Sequence, residues 1–225
     1  MSHNMFIALV PAFNEEKNVG SVVRSLLFHV DKVVVIDDCS NDNTYTVAQD
    51  AGATVIRHKI NRGQGAAIET GHQYARLHNA TYVLHFDADD QFDVKDIAPA
   101  LETLQKQKAD ILFGSRFLQK KSNVPFFKRT VILPIARLVN KLFVSLTLSD
   151  AHNGFRILHK NALDKIVITQ DRMAHASEIP ALVVKHDLTY VEFPITVFYH
   201  EYGQGLAGGI QVVKDLLIGT FLQKK

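Results

Sequence analysis

The chain has 225 residues, 47% hydrophobic and 21% charged, with enough apolar mass for a core and too little charge bias for disorder. Against a working size of about 150 residues per domain, this length fits one α/β unit and excludes a large multidomain machine. The formal net charge of +2 argues against a nucleic-acid partner but hides a division: residues 111–149 hold no Asp or Glu and seven Lys or Arg, so removing +7 from +2 leaves −5 on the remainder.

Val- and Ile-rich runs alternate with amphipathic segments through the first half, the pattern of successive βα units. In chain order the pattern predicts strand at Met5–Val10, helix at Glu15–Phe28, strand at Lys32–Ile36, helix at Asn43–Ala51 and strand at Ala53–His58. Helix at Gly63–His78, strand at Thr81–Phe86, helix at Val94–Gln107 and strand at Asp110–Phe113 follow. An open, mainly parallel α/β sheet flanked by helices is the predicted fold. From Phe126 the chain becomes strongly apolar, and Val131–Leu148 reads as a helix with a narrow stripe of Arg137, Lys141 and Ser145. A turn at Asn153-Gly154, a helix near Ser177–Lys185, a strand at Thr189–Phe198 and a closing helix at Ile210–Leu222 complete the reading. No repeat or linker composition interrupts it, so residues 1–225 are expected to form a single domain.

In open α/β sheets ligands bind beyond the carboxyl ends of the strands, and the residues there are unusually polar. Asp87-Ala88-Asp89-Asp90-Gln91 follows an apolar strand directly. Carboxylates at i and i+2 on a strand exit suit one hard divalent ion, with Gln91 adding a neutral oxygen. An isolated Asp-x-Asp is more often a solvated loop or a helix cap, so context decides. Asp37-Asp38 closes a second apolar strand, where a carboxylate accepts hydrogen bonds from a base or ribose. Pro11-Ala12-Phe13-Asn14-Glu15-Glu16 places backbone N–H groups and a carboxylate at the mouth of the first strand. Asn61-Arg62-Gly63-Gln64-Gly65 lacks both the full GxGxxG spacing and a P-loop lysine, and reads as a flexible helix entry.

Taken in order, the Pro11–Glu16, Asp37–Thr44 and Asp87–Gln91 motifs resemble the signature of family 2 glycosyltransferases of the GT-A fold. Gly114-Ser115-Arg116 and Asp150-Ala151-His152-Asn153-Gly154-Phe155-Arg156 are similar to the subgroup of dolichol-phosphate mannose synthase and its polyprenyl-phosphate relatives. The resemblance implies an inverting transfer of a hexose-type sugar from a GDP- or UDP-linked donor to a polyprenyl or dolichyl phosphate. It places Pro11, Asn14, Glu15, Asp37 and Asp38 against the nucleotide, and Asp87, Asp89 and Gln91 on Mg²⁺ or Mn²⁺ and the diphosphate. It gives Arg116 and Arg129 to donor or acceptor phosphates, and Phe155 and Arg156 to the acceptor. A departing nucleoside diphosphate gains charge in the transition state, which a cation and guanidinium groups stabilise. An acceptor phosphate is already an anionic nucleophile; a hydroxyl acceptor in polysaccharide or glycolipid synthesis would need a base, for which Asp90 and Glu178 are the candidates. A non-catalytic sugar-nucleotide-binding subunit is the alternative from another class. Polyprenyl-phosphate relatives commonly carry an Arg before a Gly and a Ser-Lys after it near the C-terminus. The text here is Tyr199-His200-Glu201-Tyr202-Gly203-Gln204-Gly205, leaving His200, when protonated, to stand in.

The acid-free segment, with its helix at about 126–148, suits an interfacial element facing anionic lipid headgroups, or equally a core helix with a snorkelling stripe. The last helix, at about 208–223, reads as packed. One cysteine, Cys39, fits a reducing compartment. With no basic n-region and no run of ~20 apolar residues, the expected location is cytoplasmic, peripheral on the inner membrane face at most. The 11 histidines show no zinc spacing. The sequence leaves a homo-oligomer open.

Overall fold

A computed structural model of the chain describes residues 4–118, 146 and 148–198. Seven strands form one sheet: β1 (Phe6–Ala12), β2 (Lys32–Asp37), β3 (Thr54–Arg57), β4 (Tyr82–His85), β5 (Ile111–Ser115), β6 (Arg156–His159) and β7 (Tyr190–Pro194). Their order is β3-β2-β1-β4-β6-β5-β7. Among the described strands only β6 runs antiparallel, paired on one side with β4 and on the other with β5. The chain leaves β1 towards β2 and β3, then returns to place β4 on the other side of β1. That reversal makes the β1/β4 boundary the topological switch point, where the crevice of such sheets lies.

Helices cover both faces: α1 (Val19–Leu26), α2 (Thr44–Asp50), α3 (Gln64–Leu77), α4 (Ile97–Gln107), α5 (Lys160–Lys165) and α6 (His175–Lys185). Because successive strand side chains alternate in direction, Phe6, Ala8 and Val10 of β1 pack with Val19, Val22, Val23, Leu26, Ala48, Ile97 and Leu104 of α1, α2 and α4. Ile7 and Leu9 pack on the opposite face with Ala67, Ile68, Ala162, Leu163, Ile179 and Val183 of α3, α5 and α6. A strand buried on both faces reads as a continuous apolar run, which is why β1 and β2 were visible in the sequence. Truncating Leu9, fully buried, to alanine costs about 2–5 kcal/mol.

The expected open, mainly parallel sheet is observed. The larger differences lie at three boundaries and in two elements. Helix α1 begins at Val19 rather than Glu15, and the amides of Glu15 and Glu16 donate to Thr44 Oγ1 and Asp42 Oδ2, tying the approach to α1 onto the start of α2. Residues Val94–Asp96 form a 3₁₀ turn before α4, closed by Asp93 accepting from Lys95 N. Strand β7 stops at Pro194, and Phe92 and Val197 pair as an isolated bridge. Strand β6 and helix α5 were not expected: β6 has four residues, begins with an arginine and lies between strands on both sides. The helix expected at about 126–148 lies outside the described residues except for Leu146 and Leu148, which are buried, and that at about 208–223 lies outside them entirely. Among the described residues no helix is long and apolar enough to cross a membrane.

Candidate active site

The loops after β1 and β2 are sewn together by side chains capping backbone amides. Asn14, in the left-handed region at φ 58°, donates its backbone N–H to Ser40 Oγ at 2.9 Å and accepts from Asn41 N at 2.9 Å. Glu16 accepts from Asn43 N, and Asp42 from Thr44 N, both at 3.0 Å. Pro11 pairs in register with Ile36 on β2, so the first motif is the rim of the switch point.

Asp37 and Asp38 are 0% and 3% exposed, and both are engaged within the protein. Asp37 Oδ1 accepts from Ser40 N at 2.9 Å, while Oδ2 sits 3.1 Å from Arg57 Nε as an ion pair without hydrogen-bond alignment. Asp38 Oδ1 accepts from Arg62 N at 2.9 Å and meets His58 Nδ1 at 2.7 Å; Oδ2 accepts from Gly63 N at 2.6 Å. His58 Nε2 in turn lies 2.9 Å from Thr70 Oγ1. The second motif therefore fixes the path from β3 into α3.

Across the switch point stands the β4 exit. Asp87 Oδ1 accepts from Gln64 Nε2 at 2.9 Å, and a Cβ built on Gly154 would overlap Asp87 Oδ2. Burial, reinforced by the charge of Asp89, pushes the Asp87 carboxyl up to about 6 against the pull of Arg156 and Gln64. Glu15 is also raised, by burial first and by Asp89 and Asp42, with the Asn18 hydrogen bond opposing. Glu15, Asp87 and Asp89 thus stand near enough to raise one another, a repulsion that a cation relieves. Asp89 accepts from Gln91 N at 3.2 Å, and Asp90 takes a left-handed φ of 59°. Among the described residues no three His, Cys, Asp or Glu side chains converge as a closed metal site. The hard oxygens of Asp87 and Asp89 fit Mg²⁺ or Mn²⁺ only with oxygens from a bound phosphate completing the shell.

Under this exit lies a buried polar layer that sequence reasoning missed. Arg156 is 1% exposed, stands 6.0 Å from the Phe113 ring and is lowered to about 10 by burial, with Asp87 and Asp150 opposing. His72 and His85 meet through their Nε2 atoms at 2.7 Å, both held neutral by burial. Glu69 accepts from Arg76 at 2.9 Å and Ile168 N at 2.8 Å. Phe155 and Arg156, expected near the acceptor, are buried, at 0% and 1% exposure. Phe155 is an aromatic core residue against Phe86 and Phe92, and Arg156 acts on the site through the carboxylates above it.

At the β5 exit Arg116 forms a two-pronged pair with Asp150, at 2.7 and 2.8 Å, and donates its backbone N–H to the same carboxylate. Glu178 is fastened to the 169–170 turn, accepting from Thr169 N, Thr169 Oγ1 and Gln170 N. Arg129 and His200 lie outside the described residues. The structure thus gathers Glu15, Asp87 and Asp89, with Gln91 and Asp90 on the same exit. Gln64 and Gly154 were legible in sequence only as a helix entry and a turn.

The sequence profile described as Glycosyl transferase family 2 matches residues 7–167. An uncharacterized protein of Methanocaldococcus jannaschii is 33% identical over 96% of this chain and 90% of its own length. A UDP-N-acetylglucosamine–dolichyl-phosphate N-acetylglucosaminyltransferase of Methanococcus voltae is 28% identical, over 94% of this chain and 93% of its own. Among solved structures, glucosyl-3-phosphoglycerate synthase from Mycobacterium tuberculosis with Mn²⁺ and UDP-glucose superposes with a TM-score of 0.69, at 16% identity, over 95% of this chain and 77% of that one. Mannosyl-3-phosphoglycerate synthase from Rubrobacter xylanophilus gives 0.65 at 17% identity, over 97% and 74%.

Proposed function

The chain belongs to the family 2 glycosyltransferases and has their GT-A fold, and from that premise we propose that it transfers a hexose-type sugar from a nucleoside-diphosphate donor to a polyprenyl or dolichyl phosphate. The observation that carries the proposal is the concentration of carboxylate charge at the switch point, with Asp87 pushed up to about 6 by burial and Asp89. Such a cluster costs stability unless a cation and its ligand use it. The lipid-phosphate acceptor is supported by the Methanococcus voltae relative.

In this proposal Asp87 and Asp89 would hold Mg²⁺ or Mn²⁺ with the donor diphosphate, and the ion would supply positive charge to the leaving group. The remaining work belongs to the chain's own residues. The rim formed by Pro11, Asn14 and Glu15 and the Asp38 exit face the nucleoside. Arg116, oriented by Asp150, presents a planar guanidinium at the β5 exit, where its geometry suits phosphate oxygens. Gln91 lines the cation side, and Arg129 and His200 keep their sequence assignment to the acceptor phosphate. An anionic phosphate nucleophile requires no base, which leaves Glu178 to its turn. Contact with the membrane would be peripheral, through the acid-free segment.

The test has two stages. UDP- and GDP-sugars are first ranked with Mn²⁺ by thermal shift, since a ligand bound only by the folded state stabilises it by RT ln(1 + [L]/Kd). The best donor, radiolabelled, is then incubated with dolichyl phosphate in detergent. Label moving into the organic phase with release of nucleoside diphosphate is expected; a donor that binds yet never labels the lipid overturns the acceptor assignment.

A further inference from the structure

The segment joining β3 to α3 spans the two acidic exits assigned to opposite ends of the donor. Arg62 N and Gly63 N donate to the two oxygens of Asp38, at 2.9 and 2.6 Å, and the next residue, Gln64, donates its side-chain amide to Asp87 Oδ1 at 2.9 Å. The backbone beneath Gln64 has little freedom. Gly63 takes φ 103°, Ala66 N donates to Asp171 O at 3.0 Å, and a Cβ on Gly65 would overlap Gln170 O. The Asp87 carboxylate is therefore gripped from two directions, by the Gln64 amide and by the close approach of Gly154.

We infer that Gln64 is a positioning residue for the cation-binding carboxylate, a hydrogen-bond donor that fixes the orientation of Asp87 without cancelling its charge. The inference rests on the proposed donor and cation reading of Asp87 and Asp89. A neutral amide donates this hydrogen bond without adding charge. A Lys side chain would satisfy Asp87 equally well but would neutralise the charge that attracts the divalent ion, and an aliphatic side chain would leave the charge while releasing the orientation. Removing an outer partner of a metal ligand typically weakens metal binding about 10- to 100-fold.

The test measures Mn²⁺ binding by electron paramagnetic resonance at saturating UDP or GDP, alongside the melting temperature without cation. Gln64→Leu should weaken Mn²⁺ binding at least about tenfold. Gln64→Lys should weaken it further while keeping or raising the cation-free melting temperature, because the new ammonium pairs with Asp87. A role in folding alone would make affinity and melting temperature fall together in Gln64→Lys, and that result overturns the inference, as does wild-type Mn²⁺ affinity in both variants. Asp89→Asn separates the two levels: if it loses Mn²⁺ while the Gln64 variants keep it, the positioning role fails and the cation site stands. If Asp89→Asn also binds normally, the cation reading itself fails.

Discussion

The carboxylate of Asp87 occupies the space in which a side chain at position 154 would begin: a Cβ on Gly154 would overlap Oδ2, with Oδ1 at 2.9 Å. Among the described glycines only Gly52 and Gly63 have positive φ, so alanine at 154 is compatible with the backbone and its penalty is purely steric. Gly154→Ala should cost about 1–3 kcal/mol by overpacking and should swing Asp87 off the Gln64 amide. Mn²⁺–nucleotide affinity, measured by calorimetry, should fall by more than the stability loss explains. A variant with normal affinity would mean that the carboxylate relaxes without consequence.

Asp38 holds the loop and is also assigned to the nucleoside, and the two roles separate by substitution. Asp38→Asn keeps one acceptor oxygen and loses the other, orphaning either Arg62 N or Gly63 N at about 1–3 kcal/mol. His58→Ala removes only the ring that braces the same carboxylate against Thr70. Both variants should lower the urea midpoint, but only Asp38→Asn should weaken UDP or GDP binding. Equal weakening in both would reduce Asp38 to a loop anchor.

How legible the site was in sequence depended on how far each interaction reaches. Asp87 and Asp89 were visible because a strand exit exposes its next residues to the crevice, and that needs only local pattern. The Asp37-Asp38 pair was visible in place, but the partners of Asp38 at positions 58, 62 and 63 sit some twenty residues on, across a whole βα unit. Gln64 and Gly154 approach Asp87 from positions 23 residues before and 67 after it, and neither residue type marks itself as part of a site. Strand β6 escaped for a related reason: four residues opening with a buried Arg156 resemble a loop until two neighbouring strands cover them. The depth of Arg156 was likewise hidden, because sequence shows its charge and not its burial.

The acid-free segment carries Lys120, Lys121, Lys128 and Arg129 in the sequence. Each basic residue near an anionic bilayer contributes about 1 kcal/mol, so replacing Lys120, Lys121 and Lys128 with Glu removes three attractions and adds three repulsions. Co-sedimentation with phosphatidylserine vesicles should fall at least about a hundredfold on that scale and should already weaken with added salt in the unaltered protein. Equal sedimentation before and after would place the segment away from the lipid.

Buried Glu69 and the buried histidines tie stability to acid in the same direction. Burial alone would raise Glu69, yet the His72 ring 3.7 Å away and hydrogen bonds from Ile168 N and Arg76 outweigh it and hold the carboxyl at about 2. A carboxyl lowered on folding contributes stability that is complete above its ordinary 4.5 and lost as pH falls towards 2. His175 is lowered to about 4, by burial first and then by Arg156, so it resists protonation in the folded state. Its unfolded form takes up a proton below 6.5, and stability declines between there and about 4. Asp87 runs the other way: raised to about 6 from 3.8, it favours the folded state as it is protonated across that window and offsets part of the His175 loss. His72 and His85, lowered by burial, add losses of the same sign as His175, so urea midpoints should decline as pH falls through 6.5 and fall steeply below 4.5. Glu69→Gln should start lower, by about 2–3 kcal/mol, and lose the steep limb, because the group that titrates there is gone; a Glu69→Gln protein that follows the wild-type curve below pH 4.5 would assign the acid limb to other carboxylates.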